Sequence, residues 1–270
     1  MPERPDFDIY KDLVLKDFEP TISYRSAEQK YKMNMNLAKN TIETNTTYSN
    51  IMNFIRSLDN VYMKPNSGLL FAQNMKDVNS LNIKPFDSAM HKIFRNNILF
   101  NRYWPKDPKK GKIGYENMFS EIDDLLRTRF VCKYMDGPKF ICDSLGEHCK
   151  DKDIEYDVRN LSNDEGYYGW HFYFKISTDI QLKDEVQNVN MHVEIQFQTQ
   201  LSEAISHLTH GLYEEKRATG FDSEKAWKWE PESQQFRSAY LGHGLHLLEG
   251  LIQNFRDEVL EKHHSESDNS

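Results

Sequence analysis

Met191–Gln200 reads MHVEIQFQTQ, and this stretch decides the fold. Val193, Ile195, Phe197 and Thr199 alternate with Glu194, Gln196, Gln198 and Gln200. A period of two marks a strand with one packed face and one polar face. A second stretch, Trp170–Ser177 (WHFYFKIS), repeats the pattern: Trp170, Phe172, Phe174 and Ile176 point one way, His171, Tyr173 and Lys175 the other. As neighbours, the two strands bring His171, Tyr173 and Lys175 beside Glu194, Gln196 and Gln198. A solvated sheet face mixes Lys with Thr, whereas a row of Gln around one Glu suits a binding face.

Working outward, Leu125–Tyr134 (LLRTRFVCKY) is β-branched and aromatic and stops at Asp136-Gly137-Pro138. Lys139–Lys150 reads as a helix, DIEYDVRN as a short strand, and LSNDEG as the turn after it. Two amphipathic helices close the chain, one from Leu201 and one from Arg237; the second carries an apolar stripe, Tyr240, Leu241, Leu245, Leu248, Leu251, Ile252 and Phe255, that suits packing against a second copy. Upstream, Tyr24–Leu58 is helical, with Ile51, Phe54, Ile55 and Leu58 on one face, and Asn60–Ser67 breaks it. A further helical stretch runs near Asp87–Asn101, followed by a loop with Lys106, Lys109, Lys110 and Lys112.

The order β-α-β-β-β-α, with helices before and after, predicts an α+β fold: a mixed sheet of about four to five strands flanked by N-terminal and C-terminal helices. The 270 residues suit a single domain. It divides into a helical part (1–115), a core (116–220), a C-terminal helix (221–262) and a disordered tail (263–270).

Composition narrows the class. Hydrophobic residues are 38% and charged residues 28%, enough for a packed core. The net charge of −8 argues against an extended nucleic-acid footprint as the main task. The start, MPERPDFDIYKDLVLKDFEP, lacks the basic and apolar regions of a secretory signal, and no stretch approaches a membrane span, so a cytoplasmic location is expected. Cys132, Cys142 and Cys149 form no C-x-x-C pair and fit a reducing compartment.

Two features carry chemistry. Gly166–His171 (GYYGWH) offers two glycines around aromatic surface, a loop that can stack a nucleobase for ~1–3 kcal/mol. Asp123 and Asp124 precede the first strand and Glu194 lies within the last, so acids from separate strands can hold Mg²⁺ against substrate phosphates. Strict alternation sets Asp123, not Asp124, on the face of Arg127 and Arg129.

Together these segments resemble the synthetase domain of the RelA/SpoT family. IDDLLRTRFV is similar to the family's strand with Asp, an apolar run and Arg; GYYGWH to its GY-x-S-x-H loop; VEIQFQT to its V-E-I-Q-I-R-T strand; and SHLTHGLYEEK to its His-containing helix. The match covers about a hundred residues, Met118–Arg217, and predicts a nucleotidyltransferase-like synthetase core. The family moves pyrophosphate from ATP to the 3′-hydroxyl of GDP or GTP, making (p)ppGpp alarmones in the stringent response.

The resemblance implies Asp124 and Glu194 as metal ligands for Mg²⁺, and Asp124, Glu194 and Arg129 as catalytic residues, with Glu194 available as general base. It implies Tyr167, His171 and Gln196 at the acceptor, and Lys64, Ser67, Lys76 and Arg95 at the donor, with Lys92 an alternative donor contact beside Arg95. Gln198 stands where the family has Arg, Gly169 where it has Ser, and Arg127 adds a charge. With no H-x-x-x-H…H-D set in its sequence, the chain looks like a small, synthesis-only member of that family. Two other readings stay open: a toxin that pyrophosphorylates the 3′ end of tRNA, paired with an antitoxin, and a degenerate nucleotide-binding module.

Overall fold

In a computed structural model, residues 3–66, 69–72, 80–208 and 225–267 are described. Three helices open the chain. The first, α1 (Phe7–Phe18), is capped by Asp6, whose carboxylate accepts from the Ile9 amide at 2.8 Å. The expected single helix from Tyr24 is two, α2 (Tyr24–Glu43) and α3 (Thr46–Asn66). They split at Asn45, whose side chain accepts from the Thr47 amide at 2.8 Å and starts the second.

α3 does not break at Asn60. Tyr62 is buried and its hydroxyl donates to Asp136 at 2.8 Å, so tertiary packing carries the last turn past the local signal at Pro65. Then follow β1 (Asn82–Ile83), α4 (Phe86–Phe94), a π turn over Arg95–Leu99, and α5 (Met118–Glu121). The core elements are β2 (Leu126–Cys132), α6 (Gly137–Asp151), β3 (Tyr156–Ser162), β4 (Tyr168–Leu182) and β5 (Glu185–Thr199). Helix α7 is described over residues 200–208, and α8 (Gln234–Ser267) ends the chain.

The five strands run in the order β1-β2-β5-β4-β3. β2 pairs parallel to β5 and the other pairs are antiparallel, so the sheet is mixed, as the element order predicts. β4 and β5 form a hairpin much longer than the two alternating stretches suggest. It turns at Lys183-Asp184, with Lys183 at φ 53°, a dipeptide that carries no Asn-Gly or Asp-Gly hairpin signal.

Phe172 and Phe174 of β4 and Val193, Ile195 and Phe197 of β5 are buried on one face. Phe172 stacks on Tyr156 with ring centroids 5.2 Å apart, and Phe197 on Phe130 at 5.6 Å. Each such side chain contributes about 1.5–3 kcal/mol by leaving water. The cysteines are free and buried.

α8 extends through Ser267, five residues into the tail expected to be disordered. It is tied to the rest of the chain by Arg256, which reaches Asp136 at 2.9 Å and Tyr62 at 2.6 Å, and by His246, stacked on Tyr168 at 3.6 Å. It also crosses the loop before β4 backbone to backbone. A Cβ on Gly242 would stand 2.4 Å from the Gly166 carbonyl oxygen, and one on Gly166, at φ +79°, 2.3 Å from that of Ala239. Glycine is required at both positions. Among the described residues, no helix is long and apolar enough to cross a membrane.

Candidate active site

The strand register lays out two rows across the polar face. Arg127, Glu194, Tyr173 and Asp157 form one, on β2, β5, β4 and β3; Arg129, Gln196, His171 and Arg159 form the next. The expected face is therefore present, with two arginines on β2 and one on β3 along its sides. Glu194, His171, Tyr173, Gln196 and Gln198 are all less than a tenth exposed. A row of polar side chains this buried must satisfy itself.

It does so around Glu194, and leaves Gln198 Oε1 buried without a partner. Oε1 lies 2.6 Å from His171 Nδ1 and accepts from the Tyr173 hydroxyl at 2.9 Å; Oε2 accepts from Gln196 Nε2 at 3.0 Å. With Glu194 a carboxylate, His171 donates from Nδ1, so its Nε2 accepts from the Tyr167 hydroxyl, 2.7 Å away. The Tyr167 oxygen in turn accepts from Gln198 Nε2 at 2.7 Å. Every donor then has one direction. Burial pushes the Tyr167 phenol up to about 12, so it stays protonated as this chain requires. Tyr167 is half-buried over Gly169, where any Cβ would stand 2.8 Å from its hydroxyl.

Gln198 does more here than leave a gap where the family has arginine: its amide fixes Tyr167. Arg129 reaches Gln196 Oε1 at 3.4 Å.

Asp123 and Asp124 occupy the turn before β2. Asp124 hydrogen-bonds Lys84 at 2.8 Å and Lys92 at 3.0 Å rather than joining the Glu194 network. Asp123 bonds Lys92 and Arg159. The Arg159 guanidinium lies 4.2 Å over the Tyr173 ring, and Tyr173 donates to Glu194, so the link between the acids and Glu194 runs through Asp123. Strand alternation points to that residue, whereas the resemblance points to Asp124.

Burial alone would raise both carboxyls. For Asp124, Lys92 and Lys84 outweigh burial and hold it well below the usual carboxylate range; for Asp123, Lys92 and Arg159 outweigh burial and lower it. Burial lowers Lys84 despite Asp124, while the two aspartates outweigh burial at Lys92 and raise it. Lys84 is the more enclosed, its side chain 6% exposed against 21%.

The expected donor residues fall largely outside what the structure describes. Ser67 and Lys76 lie outside the described residues, as does the side chain of Lys64 near the end of α3. Lys84, directly after β1, and Lys92 on α4 are the lysines that reach the acids, with Arg95 three residues beyond Lys92. Lys84, Arg159 and Tyr173 escaped notice as site residues. Their signal is the need of a buried acid pair for cations, and that need names no sequence position.

Glu194, Asp123 and Asp124 supply carboxylate oxygen, the donor type Mg²⁺ takes at one or two positions beside phosphate and water. No group of three or more His, Cys, Asp or Glu that could hold a metal ion occurs among the described residues. Carboxylate oxygens of this kind fit Mg²⁺ carried on substrate phosphates. A cavity of about 290 Å³ lies elsewhere, on the reverse face of the sheet between Trp170, Phe197, Tyr168, His246 and Glu249.

No protein-family model matches the chain. No curated protein matches it in sequence. Solved structures do. A GTP pyrophosphokinase family protein from Streptococcus pneumoniae is similar with a TM-score of 0.54 at 16% identity, over 89% of this chain and 97% of that one. The small alarmone synthetase 1 from Bacillus subtilis is similar with a TM-score of 0.52 at 16% identity, over 86% and 97%, and its complex with its product pppGpp gives the same values. The chain has the fold of these alarmone synthetases.

Proposed function

We propose that the chain is a nucleotide pyrophosphotransferase that moves the pyrophosphate of ATP to the 3′-hydroxyl of a guanine nucleotide. The observation that carries this reading is Glu194, a buried carboxylate held by three donors on the one polar face of a sheet whose fold is that of alarmone synthetases. That a protein of this fold binds pppGpp as its product supports the acceptor class.

In this reading Glu194 accepts the proton of the acceptor hydroxyl, and His171 and Tyr173 keep its carboxylate aimed. The acceptor oxygen forms its bond to the β-phosphorus of ATP, the bond from that phosphorus to the α-phosphate oxygen breaks, and AMP leaves. Such a transfer needs positioning and charge neutralisation more than covalent help. Arg127 and Arg129 line the face where the charge spreads; Lys84, Lys92 and Arg95 are assigned to the donor phosphates, and Tyr167 to the acceptor base. Bound Mg²⁺, held by Glu194 with Asp123 or Asp124, would neutralise and orient the triphosphate.

The experiment is incubation with γ-labelled ATP and GDP, GTP, ADP or bulk tRNA. Label on GDP or GTP with matching AMP supports the reading, and no labelled nucleotide with any acceptor refutes it. One observation favours a second reading, transfer to tRNA ends: Lys106, Lys109 and Lys110 are exposed on a single loop and available to a polyanion. Label on tRNA, lost when these lysines are replaced by Gln, would select it.

A further inference from the structure

The loop that carries Tyr167 is held from outside by α8, and one side chain of that helix grips it on both sides of the tyrosine. His243 Nε2 donates to the Asp164 carbonyl oxygen at 3.1 Å, and its Nδ1 lies 2.8 Å from the Tyr168 hydroxyl. A carbonyl oxygen only accepts, so the imidazole proton sits on Nε2 and the Tyr168 hydroxyl donates to Nδ1. One half-buried ring thus joins the residues that bracket Glu165, Gly166 and Tyr167. Around it, Gly242 meets Gly166 backbone to backbone, the His246 ring stacks on Tyr168 at 3.6 Å, and Lys228 reaches the Asp164 carboxylate at 3.0 Å.

The loop also has a turn of its own. Asn163 Oδ1 accepts from the amides of Glu165 at 3.2 Å and Tyr167 at 2.9 Å, as an asparagine at the head of a turn does. Asn163 and Asp164 stand in solvent, and an exposed turn opens readily unless a firmer element holds it. α8 is such an element, because Arg256 anchors it to Asp136 and Tyr62 about 20 Å further along the helix. The other end of the loop leads into the site. The Tyr167 hydroxyl donates to His171 Nε2 at 2.7 Å, and His171 Nδ1 holds Glu194 at 2.6 Å.

We propose that His243 is a positioning residue for the acceptor nucleotide: it fixes the Asp164–Tyr168 loop, and with it the Tyr167 ring on which the acceptor base stacks. The proposal rests on the assignment of Tyr167 to that base. It gives α8 a task beyond packing, since both hydrogen bonds of His243 end on the loop, one before Tyr167 and one after it. The cations assigned to the donor come from elsewhere, Lys84 from the end of β1 and Lys92 from α4. Loss of His243 therefore weakens the hold on the acceptor and leaves the hold on ATP as it is.

The test uses the full chain and steady-state transfer from ATP to GDP or GTP, with KM read separately for donor and acceptor. In His243→Ala the acceptor KM should rise about ten-fold, as two lost hydrogen bonds imply, with KM for ATP unchanged. His243→Gln should recover most of that loss, because its amide carries one donor and one acceptor spaced much as the two ring nitrogens are. Tyr168→Phe keeps its ring on His246 and should raise the acceptor KM by a smaller factor, an effect that vanishes in the His243→Ala background. Amide hydrogen exchange over residues 163–168 should quicken in His243→Ala, and if that variant does not fold, Tyr168→Phe and His243→Gln decide the matter. An unchanged acceptor KM in His243→Ala or Tyr168→Phe, equal rises in both KM values, or no recovery with Gln would each overturn this proposal alone. A wild type that transfers label to no nucleotide overturns the catalytic reading and this proposal with it.

Discussion

His171 faces Gln196, not Glu194, across the strand pair, yet its Nδ1 lies 2.6 Å from Glu194 Oε1 on the diagonal. The residue directly opposite Glu194 is Tyr173, which bonds the same oxygen at 2.9 Å. One carboxylate oxygen thus takes two donors from alternate residues of a single strand, and Gln196 takes the other oxygen. The arrangement holds the Glu194 carboxylate between three donors, as the proposed role of this residue as base requires.

Removing the charge at that centre has a structural consequence of its own. In Glu194→Gln an amide nitrogen competes with oxygen for three incoming donors, so at least one buried donor goes unpaired. The expected cost is about 1–3 kcal/mol, read by urea unfolding of wild type and variant. An unchanged midpoint would mean the donors find other partners.

Tyr173→Phe separates two jobs of one residue. The ring that carries Arg159 stays and the hydroxyl that bonds Glu194 goes. Stability should fall by about 1 kcal/mol. In the transfer assay kcat should fall several-fold with KM for ATP little changed, because the lost contact aims the base and binds no donor. A rise in KM with kcat intact would place Tyr173 in binding instead.

The acid pair sets a pH window. Asp123 and Asp124 are depressed in the fold, so their contribution is fully present above the unfolded carboxylate value, about pH 4, and is lost as pH falls through the folded values. Lys92 is raised, so its contribution is present below about pH 10.4 and lost as pH rises through its folded value. Lys84 runs the other way: lowered by burial, its charge opposes folding at neutral pH. Asp124→Asn leaves two mostly buried lysines short of a partner, which should cost about 3–5 kcal/mol at pH 7 and flatten the acid limb. Unfolding midpoints from pH 3 to 8 check this, and parallel curves for variant and wild type would contradict it.

Two glycines of α8, only two residues apart, should respond oppositely to alanine. Gly242→Ala drives a Cβ into the Gly166 carbonyl, which cannot yield as a side chain would, and should cost about 1–3 kcal/mol. Gly244→Ala, with open space around its Cβ, should stabilise by about 0.5–1 kcal/mol through helix propensity alone. Thermal unfolding of both variants decides it; equal effects would mean α8 does not rest on Gly166.

Alternation made the centre of the molecule legible. Glu194, Gln196 and Gln198 opposite His171 and Tyr173 could be read from two strands because a period of two fixes which side chains share a face. The acids' counter-charges could not be read that way. Lys84 and Lys92 meet Asp124 across 40 and 32 residues of chain, through a two-residue strand too short to leave a pattern. Arg159 was hidden similarly: its strand was visible, but its bond to Asp123 depends on where the turn before β2 ends. Of the expected donor residues, Ser67, Lys76 and the side chain of Lys64 lie outside the described residues, while Lys92, the alternative donor contact, stands against the acids together with Lys84. The split between α2 and α3 turned on one capping side chain, Asn45.

The central claim is that Glu194 on this polar face removes the acceptor's proton. The direct measurement is single-turnover transfer of label from γ-labelled ATP by wild type and Glu194→Gln, at saturating acceptor and with folding verified by circular dichroism. The account predicts a loss of about 10²–10⁴-fold in the variant with ATP binding retained. Transfer by the variant within a few-fold of wild type would contradict it.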